Sequence, residues 1–335
     1  MSEQLSTRER VMLSLAGEEV DRPPISLWQH FPNRDQSADD LAAATAEWQA
    51  MLELDFIKLM PPGDYATIDW GLTSEYRGAR GGTRDTTHYP IQSVEDWASI
   101  NRVGVRDGIN AEVIRACSLT CAAVGDDVPV LQTIFSPLTI AAKLSNNLVI
   151  EHLRTHPDVI HEALHVIRDV TIDVSRMSIR AGASGVFFAS QLATTDLVTE
   201  QEYLDFGANY DLEVLEETED AGSQFTLIHI HGRNTFFHLL AGYPGNALNW
   251  HDRRVGPDIA SMQRIYPDCA AVAGIDEQGI ATMTPDEVRA QVLESRVATG
   301  DRGLLLGPGC VILTATPQEN LRAAVEAAKQ PRANL

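Results

Sequence analysis

The chain has 335 residues, with 26 Lys and Arg against 47 Asp and Glu, and a formal charge of −21. A field of that sign repels phosphate backbones and anionic lipid, which argues against nucleic-acid and membrane-surface roles. With 44% hydrophobic residues and only 4 Cys, the chain is neither a disordered polymer nor a disulfide scaffold, and its length suits one large barrel or two ordinary domains.

In chain order, the opening stretch MSEQLSTRERVMLSLAGEE lacks the basic-then-apolar order of a secretory signal and reads as an N-terminal helical extension. Short apolar runs then recur at 25–29, 55–60, 128–135, 185–191, 225–231, 247–251, 271–276 and 303–307. Near-continuous apolar runs suit parallel strands buried on both faces. Helices are predicted over 38–53 after Ser37, 157–181 with Gly182 just beyond, and 200–221 stopping at Gly222. Two more are predicted over 285–298 after Thr284 and over 317–329 after Thr316, both threonines having the residue type of an N-cap. About eight strand–helix alternations are the pattern of a (β/α)8 TIM barrel, here one domain over 1–335. An open doubly wound sheet is the rival, but no early strand leads into the G-x-G-x-x-G turn that such sheets use for phosphates. No apolar run reaches the roughly 18 residues that span a bilayer. The sparse cysteines Cys117, Cys121, Cys269 and Cys310 fit core thiols or ligands in a reducing compartment. A soluble cytoplasmic protein is the expectation.

Active residues of a barrel sit at the carboxyl ends of its strands, and those ends are polar here. Gln29 and His30 end the first strand and Gln191 the fourth; His229-Ile230-His231-Gly232 end the fifth and His251 the sixth. Asp276 and Glu277 follow the seventh, and Gly307-Pro308-Gly309-Cys310 the eighth. Residues i and i+2 of a strand share a face, so His229 and His231 converge on one point. With Cys310 as third ligand they form a transition-metal set, for which Zn2+ is the expected ion, with one position open to substrate. The competing structural reading is a hydrogen-bonded histidine pair and a core thiol. Asp276 and Glu277 are candidate catalytic carboxylates, with three readings: a base, a group orienting a ligand His, or the first-turn acid of the next helix. Gln29, His30, Gln191 and His251 are candidate substrate contacts. His88, His152, His156, His161 and His165 read as helix-surface or loop residues. Arg77, Arg80 and Arg84 read as an exposed loop cluster, with carboxylate binding the alternative.

The segment 307–320, from Gly307-Pro308-Gly309-Cys310 to Thr316-Pro317-Gln318-Glu319-Asn320, resembles the end of the uroporphyrinogen decarboxylase superfamily. Within that superfamily it is most similar to the zinc-dependent methylcorrinoid:coenzyme M methyltransferases. Thr7-Arg8-Glu9-Arg10, Asp21-Arg22-Pro23-Pro24, Asp69-Trp70-Gly71 and Phe135-Ser136-Pro137-Leu138-Thr139 match the same superfamily, so the resemblance spans nearly the whole chain and implies a TIM barrel. It also implies that His229 and Cys310 bind zinc, because the methyltransferase branch uses a His-x-Cys pair and a distant Cys. His231 stands where that branch has Cys, which keeps a ligand but removes one thiolate. A more positive ion should lower the pKa of a bound water or thiol further and make a bound thiolate a poorer nucleophile.

The implied activity is methyl or alkyl transfer to a thiol, with a corrinoid on a partner protein or a small methylated compound as donor. A small-molecule substrate, a corrinoid protein and a second copy in a homodimer are the expected partners. The decarboxylase branch fits less well. Its Arg-rich segment after the first strand reads WQHFPNRDQ here, with Arg34 alone; Asp64 is displaced from the catalytic position; and Pro308 replaces the His of a Gly-His-Gly turn. A metal-free decarboxylase of a tetrapyrrole acid is the second reading and a non-catalytic corrinoid- or tetrapyrrole-binding protein the third. A metal-dependent hydrolase comes last.

Overall fold

In the computed structural model, which describes residues 5–331, the N-terminal extension is the helix Thr7–Leu15, started by a capping box between Ser6 and Glu9. The outermost residues of the expected 1–335 domain lie outside the described residues. The strands are β1 (Ile57–Lys58), β2 (Thr73–Glu75), β3 (Asp85–His88), β4 (Val130–Phe135), β5 (Gly185–Ser190), β6 (Phe225–Ile230), β7 (Ala247–Trp250), β8 (Ala270–Ile275) and β9 (Leu304–Pro308). A 7-stranded parallel sheet runs in the order β1-β4-β5-β6-β7-β8-β9. Every residue of β4 to β9 is buried, as strands covered on both faces require.

The sheet closes through the segment predicted as the first strand, 25–29, which is reduced to a single parallel bridge of Ile25 with Leu306. Ser26 N donates to Leu306 O and Leu306 N to Pro24 O, while on the other side Asp55 N donates to Ile25 O. Pro23 and Pro24 bring no N–H, and the Ile25 N–H donates to the Asp55 carboxylate at 2.9 Å. The stave therefore has too few free donors for a ladder. The fold is a (β/α)8 TIM barrel whose first stave is this bridge.

Asp55 is the clasp of the closure. Its buried carboxylate accepts from Arg10 at 2.9 Å and from Arg22 at 2.7 and 2.9 Å, in addition to Ile25 N. Arg10 in turn donates twice to Asp21 at 2.7 Å. One carboxylate thus ties the N-terminal helix, the first stave and the run into β1.

The helices Ala38–Leu52, Pro157–Arg180, Pro285–Thr299 and Gln318–Lys329 lie close to their predicted spans. Ser37 and Thr284 cap as expected. Thr316 does not: Pro317 holds the cap position and the Thr316 hydroxyl donates to Leu313 O. The predicted helix 200–221 is three pieces, Glu200–Tyr203, a π turn over Leu204–Ala208, and Asn209–Asp220.

The antiparallel hairpin β2–β3 was not predicted, because its polar, largely exposed strands carry no apolar run. Its loop is tied to the segment after β9 by Thr314, which donates from N and Oγ1 to Arg80 O. His152 is not a surface residue. It is buried and accepts the Trp97 indole N–H at Nδ1, 2.9 Å away. The four cysteines are free. Among the described residues, no helix is long and apolar enough to cross a membrane.

Asp55→Ala leaves the Arg10 guanidinium buried beside an emptied site, and should lower the unfolding free energy by about 3–5 kcal/mol. Urea denaturation measures this. Arg34→Ala, which removes only an exposed pair with Glu47, should leave the midpoint unchanged.

Candidate metal centre

Strand register brings the site together. Ala189, His229 and Asn249 stand level on β5, β6 and β7. Level residues of parallel neighbours share a face, so His229 and Asn249 project into the barrel together and His231 follows one step higher. Cys310 arrives from the turn after β9. A Cβ on Gly309 would lie 2.7 Å from Trp250 O and 2.8 Å from His251 Cα, so only glycine lets this turn pass the end of β7. One ligand atom from each of His229, His231, His251 and Cys310 then lies within 4.8 Å of the other three. Ring centroids are 5.6 Å apart for His229 and His231 and 5.0 Å for His231 and His251, and Cys310 Sγ is 3.8 Å from His231 Nδ1.

The tautomers are set by what lies behind the rings. The buried Asn249 side chain donates from Nδ2 to Val272 O at 2.7 Å and to Pro308 O at 3.0 Å. Its Oδ1 is therefore the atom facing His229 Nδ1 at 2.6 Å, which requires the proton on Nδ1 and leaves Nε2 with its lone pair. His251 Nδ1 is 2.7 Å from Glu277 Oε1, and its Nε2 is buried with no protein partner. Both rings show the carbonyl- or carboxylate-backed arrangement of metal-ligating histidines.

Below the rings is a floor of Phe187, Trp28 and Lys58. Phe187 lies 5.0 Å from His229 and 5.8 Å from Trp28, centroid to centroid. The Lys58 ammonium sits 4.2 Å over Phe187 and 2.9 Å from Met60 Sδ. Burial pulls Lys58 down to about 7. Burial also holds His229 well below the ordinary imidazole range, and it brings His231 to about 4 with help from the charge of His251. It pushes the Cys310 thiol up, partly offset by Lys58. Neutral imidazoles and a thiol that resists ionising without a cation are what a metal site presents before it is filled.

The predicted residues divide. His229, His231 and Cys310 come together, and His251, expected as a substrate contact, stands with them. Glu277 Oε1 stands 2.7 Å from His251 Nδ1. Asp276 instead takes a bidentate pair with Arg254 at 2.8 and 3.1 Å and accepts from Gln278 N and Gly279 N, bracing the turn after β8; it lies ahead of the next helical turn, Gly279–Ala281, and is not its first-turn acid. Gln191 lines a cleft of about 590 Å³ at the mouth, shared with Asp64, Arg84, Lys143 and His231. His30 is buried under Gly63 and Gly82, outside that cleft's lining, and Gln29 is half-buried.

Sequence reasoning missed Asn249, Lys58 and Lys143. A lysine inside the apolar run 55–60 was the available signal for Lys58. Nothing local marks the other two.

A family profile described as "Uroporphyrinogen decarboxylase (URO-D)" matches residues 6–331. The chain belongs to the uroporphyrinogen decarboxylase family. It is 23% identical over 249 residues to the methylcobamide:CoM methyltransferase MtbA of Methanosarcina mazei, covering 73% of this chain and 70% of that one. It is 28% identical over 216 residues to the uroporphyrinogen decarboxylase of Crocosphaera subtropica, covering 62% and 59%. The solved structure of a methyltransferase from Methanosarcina mazei superposes with a TM-score of 0.83 at 19% identity over 98% of this chain and 99% of that one. Family members thus include both methyltransferases and decarboxylases, and the choice between them falls to the site.

His30 gives a pH signature. Burial and the charges of Lys58, Lys143 and Arg84 lower it from 6.5 to about 3 in the fold. Below about pH 6.5 the unfolded chain therefore takes up a proton that the folded chain refuses, so stability falls with decreasing pH down to about 3. His30→Asn should flatten the stability profile between pH 6 and 4, measured by urea titrations against wild type.

Proposed function

We propose that this protein transfers a methyl or other alkyl group to a thiol at a zinc ion held by His229, His231 and Cys310, with the His251–Glu277 pair beside the position left open for the thiol. The observation that carries this reading is the convergence of four ligand atoms within 4.8 Å, with the far nitrogens of His229 and His251 engaged by Asn249 and Glu277. Zinc bound there would supply Lewis acidity that holds a coordinated thiol as thiolate near neutral pH.

In the transfer itself, the thiol gives up its proton and its sulfur forms a bond to the alkyl carbon. The bond from that carbon to the donor breaks, with its electron pair left on the donor. His251 Nε2, unpartnered and buried, receives the proton, and Glu277 Oε1 at 2.7 Å from Nδ1 stabilises the imidazolium. Phe187 and Trp28 keep water from the inner side of the site. The relatives' name supplies the donor class, a methylated cobamide, and a corrinoid-carrying protein docking at the barrel mouth is part of this proposal.

Decarboxylation of a polycarboxylate tetrapyrrole is disfavoured by the arginines. Arg34 pairs with Glu47, Arg77 with Glu75 and Arg84 with Asp35, so of the cations lining the cleft Lys143 and the exposed Arg233 are those without a carboxylate partner among the described residues, fewer than a polycarboxylate requires.

Elemental analysis should find one zinc per chain in wild type, and strongly reduced zinc in Cys310→Ala and His229→Ala. His251→Gln should keep zinc yet lose most of the transfer rate at neutral pH, with the loss shrinking as pH rises. A wild-type protein that takes up no metal would end the reading.

A further inference from the structure

The cleft over the metal site holds charges of both signs, and most are already engaged. Arg84 donates to Asp35 at 2.6 Å and to Pro32 O at 2.7 Å, and Asp196 accepts from Asn234 at 2.8 Å. Arg233 stands exposed on the rim. Two groups remain. The Lys143 ammonium makes no hydrogen bond or ion pair with any described side chain, and only faces the Phe135 ring at 4.9 Å. The Asp64 carboxylate likewise has no side-chain partner, and its Oδ1 is buried and unpaired. Both line the same cleft as Gln191 and His231. They are near enough that the Asp64 charge opposes the loss of basicity that burial imposes on Lys143, yet they form no salt bridge with each other.

Unpaired opposite charges that face one cavity without touching are a receptor for a ligand carrying both charges. A simple anion would gain Lys143 but meet the repulsion of Asp64 and of a chain with net charge −21, whereas a zwitterion is neutral at long range and satisfies both groups at contact. We infer that the thiol accepted at this site is an α-amino acid, its carboxylate on Lys143 and its ammonium on Asp64, with the side-chain sulfur reaching toward His231 and Cys310. The inference rests on the thiol-alkylation reading above for the sulfur alone; recognition of the two charges does not need the metal.

Titration calorimetry on the full chain separates the two. L-2-Aminobutyrate, which has the amino-acid charges but no sulfur, should bind chelator-treated wild type. Lys143→Met and Asp64→Asn should each weaken that binding at least tenfold, and Lys143→Arg should restore most of it, with thermal melts showing that all three variants are folded. L-Homocysteine should bind zinc-loaded protein at least tenfold more tightly than aminobutyrate does. The inference is overturned if aminobutyrate does not bind wild type, if the two charge-removing variants bind it as wild type does, or if a mercapto-sulfonate without an amine binds more tightly and Asp64→Asn strengthens it. If aminobutyrate behaves as expected but homocysteine gains nothing from zinc, the amino-acid site stands and the metal reading falls.

Discussion

The Asn249 amide joins the scaffold to the site, because its two ends do different jobs on one rigid plane. Its Nδ2 donates to Val272 O on β8 and Pro308 O on β9, and its Oδ1 accepts a hydrogen bond from the Nδ1–H of His229 on β6. Four neighbouring staves are thereby referenced to one another through a single buried side chain. Rotating the amide would face two carbonyls with an oxygen and a ring nitrogen with an NH2 group. Each such mismatch leaves a buried polar group unpaired, at a cost of about 1–3 kcal/mol. The barrel's interior hydrogen bonding therefore dictates which nitrogen of His229 is free.

Charge distribution explains the rest of the site. Three imidazoles and one thiol gather above a buried lysine, and the nearest carboxylate, Glu277, is behind His251 rather than in the ligand cluster. Burial holds His229 and His231 neutral and pushes the Cys310 thiol up, so these three groups wait uncharged for a cation. With one thiolate at most among its protein ligands, a bound ion would keep more of its charge than in a His, Cys, Cys set. That favours an anionic sulfur from the substrate as the completing partner.

Much of what makes the chain recognisable is scaffold. Arg10, Asp21 and Arg22 knit around Asp55. Asp69 accepts the Ile109 and Asn110 N–H groups at the start of a helix. Ser136 caps Pro137–Leu144, and Thr139 receives the Gln191 N–H. These residues close the barrel and set strand ends, so their presence does not distinguish one activity within the family from another.

The sequence by itself narrowed the fold to a parallel α/β architecture, since eight apolar runs with helices between them need cover on both faces, and the superfamily resemblance together with the missing G-x-G-x-x-G turn favoured the barrel over an open doubly wound sheet. It also determined that His229 and His231 share a face, since a strand repeats every second residue. Local pattern placed the first stave but overestimated its ladder, which two prolines and a captured N–H reduce to a single bridge. It also missed the β2–β3 hairpin, whose polar strands pair with each other and whose loop is tied to a distant segment by Thr314. Only the tertiary structure decided that His251 joins the ligand cluster, that Glu277 rather than Asp276 stands behind it, and that Asn249 fixes a tautomer. It alone left Lys143 and Asp64 unpaired across one cleft. Each of these depends on the register between staves far apart in the chain, which is set by the closure of the whole ring and by no stretch of residues within it.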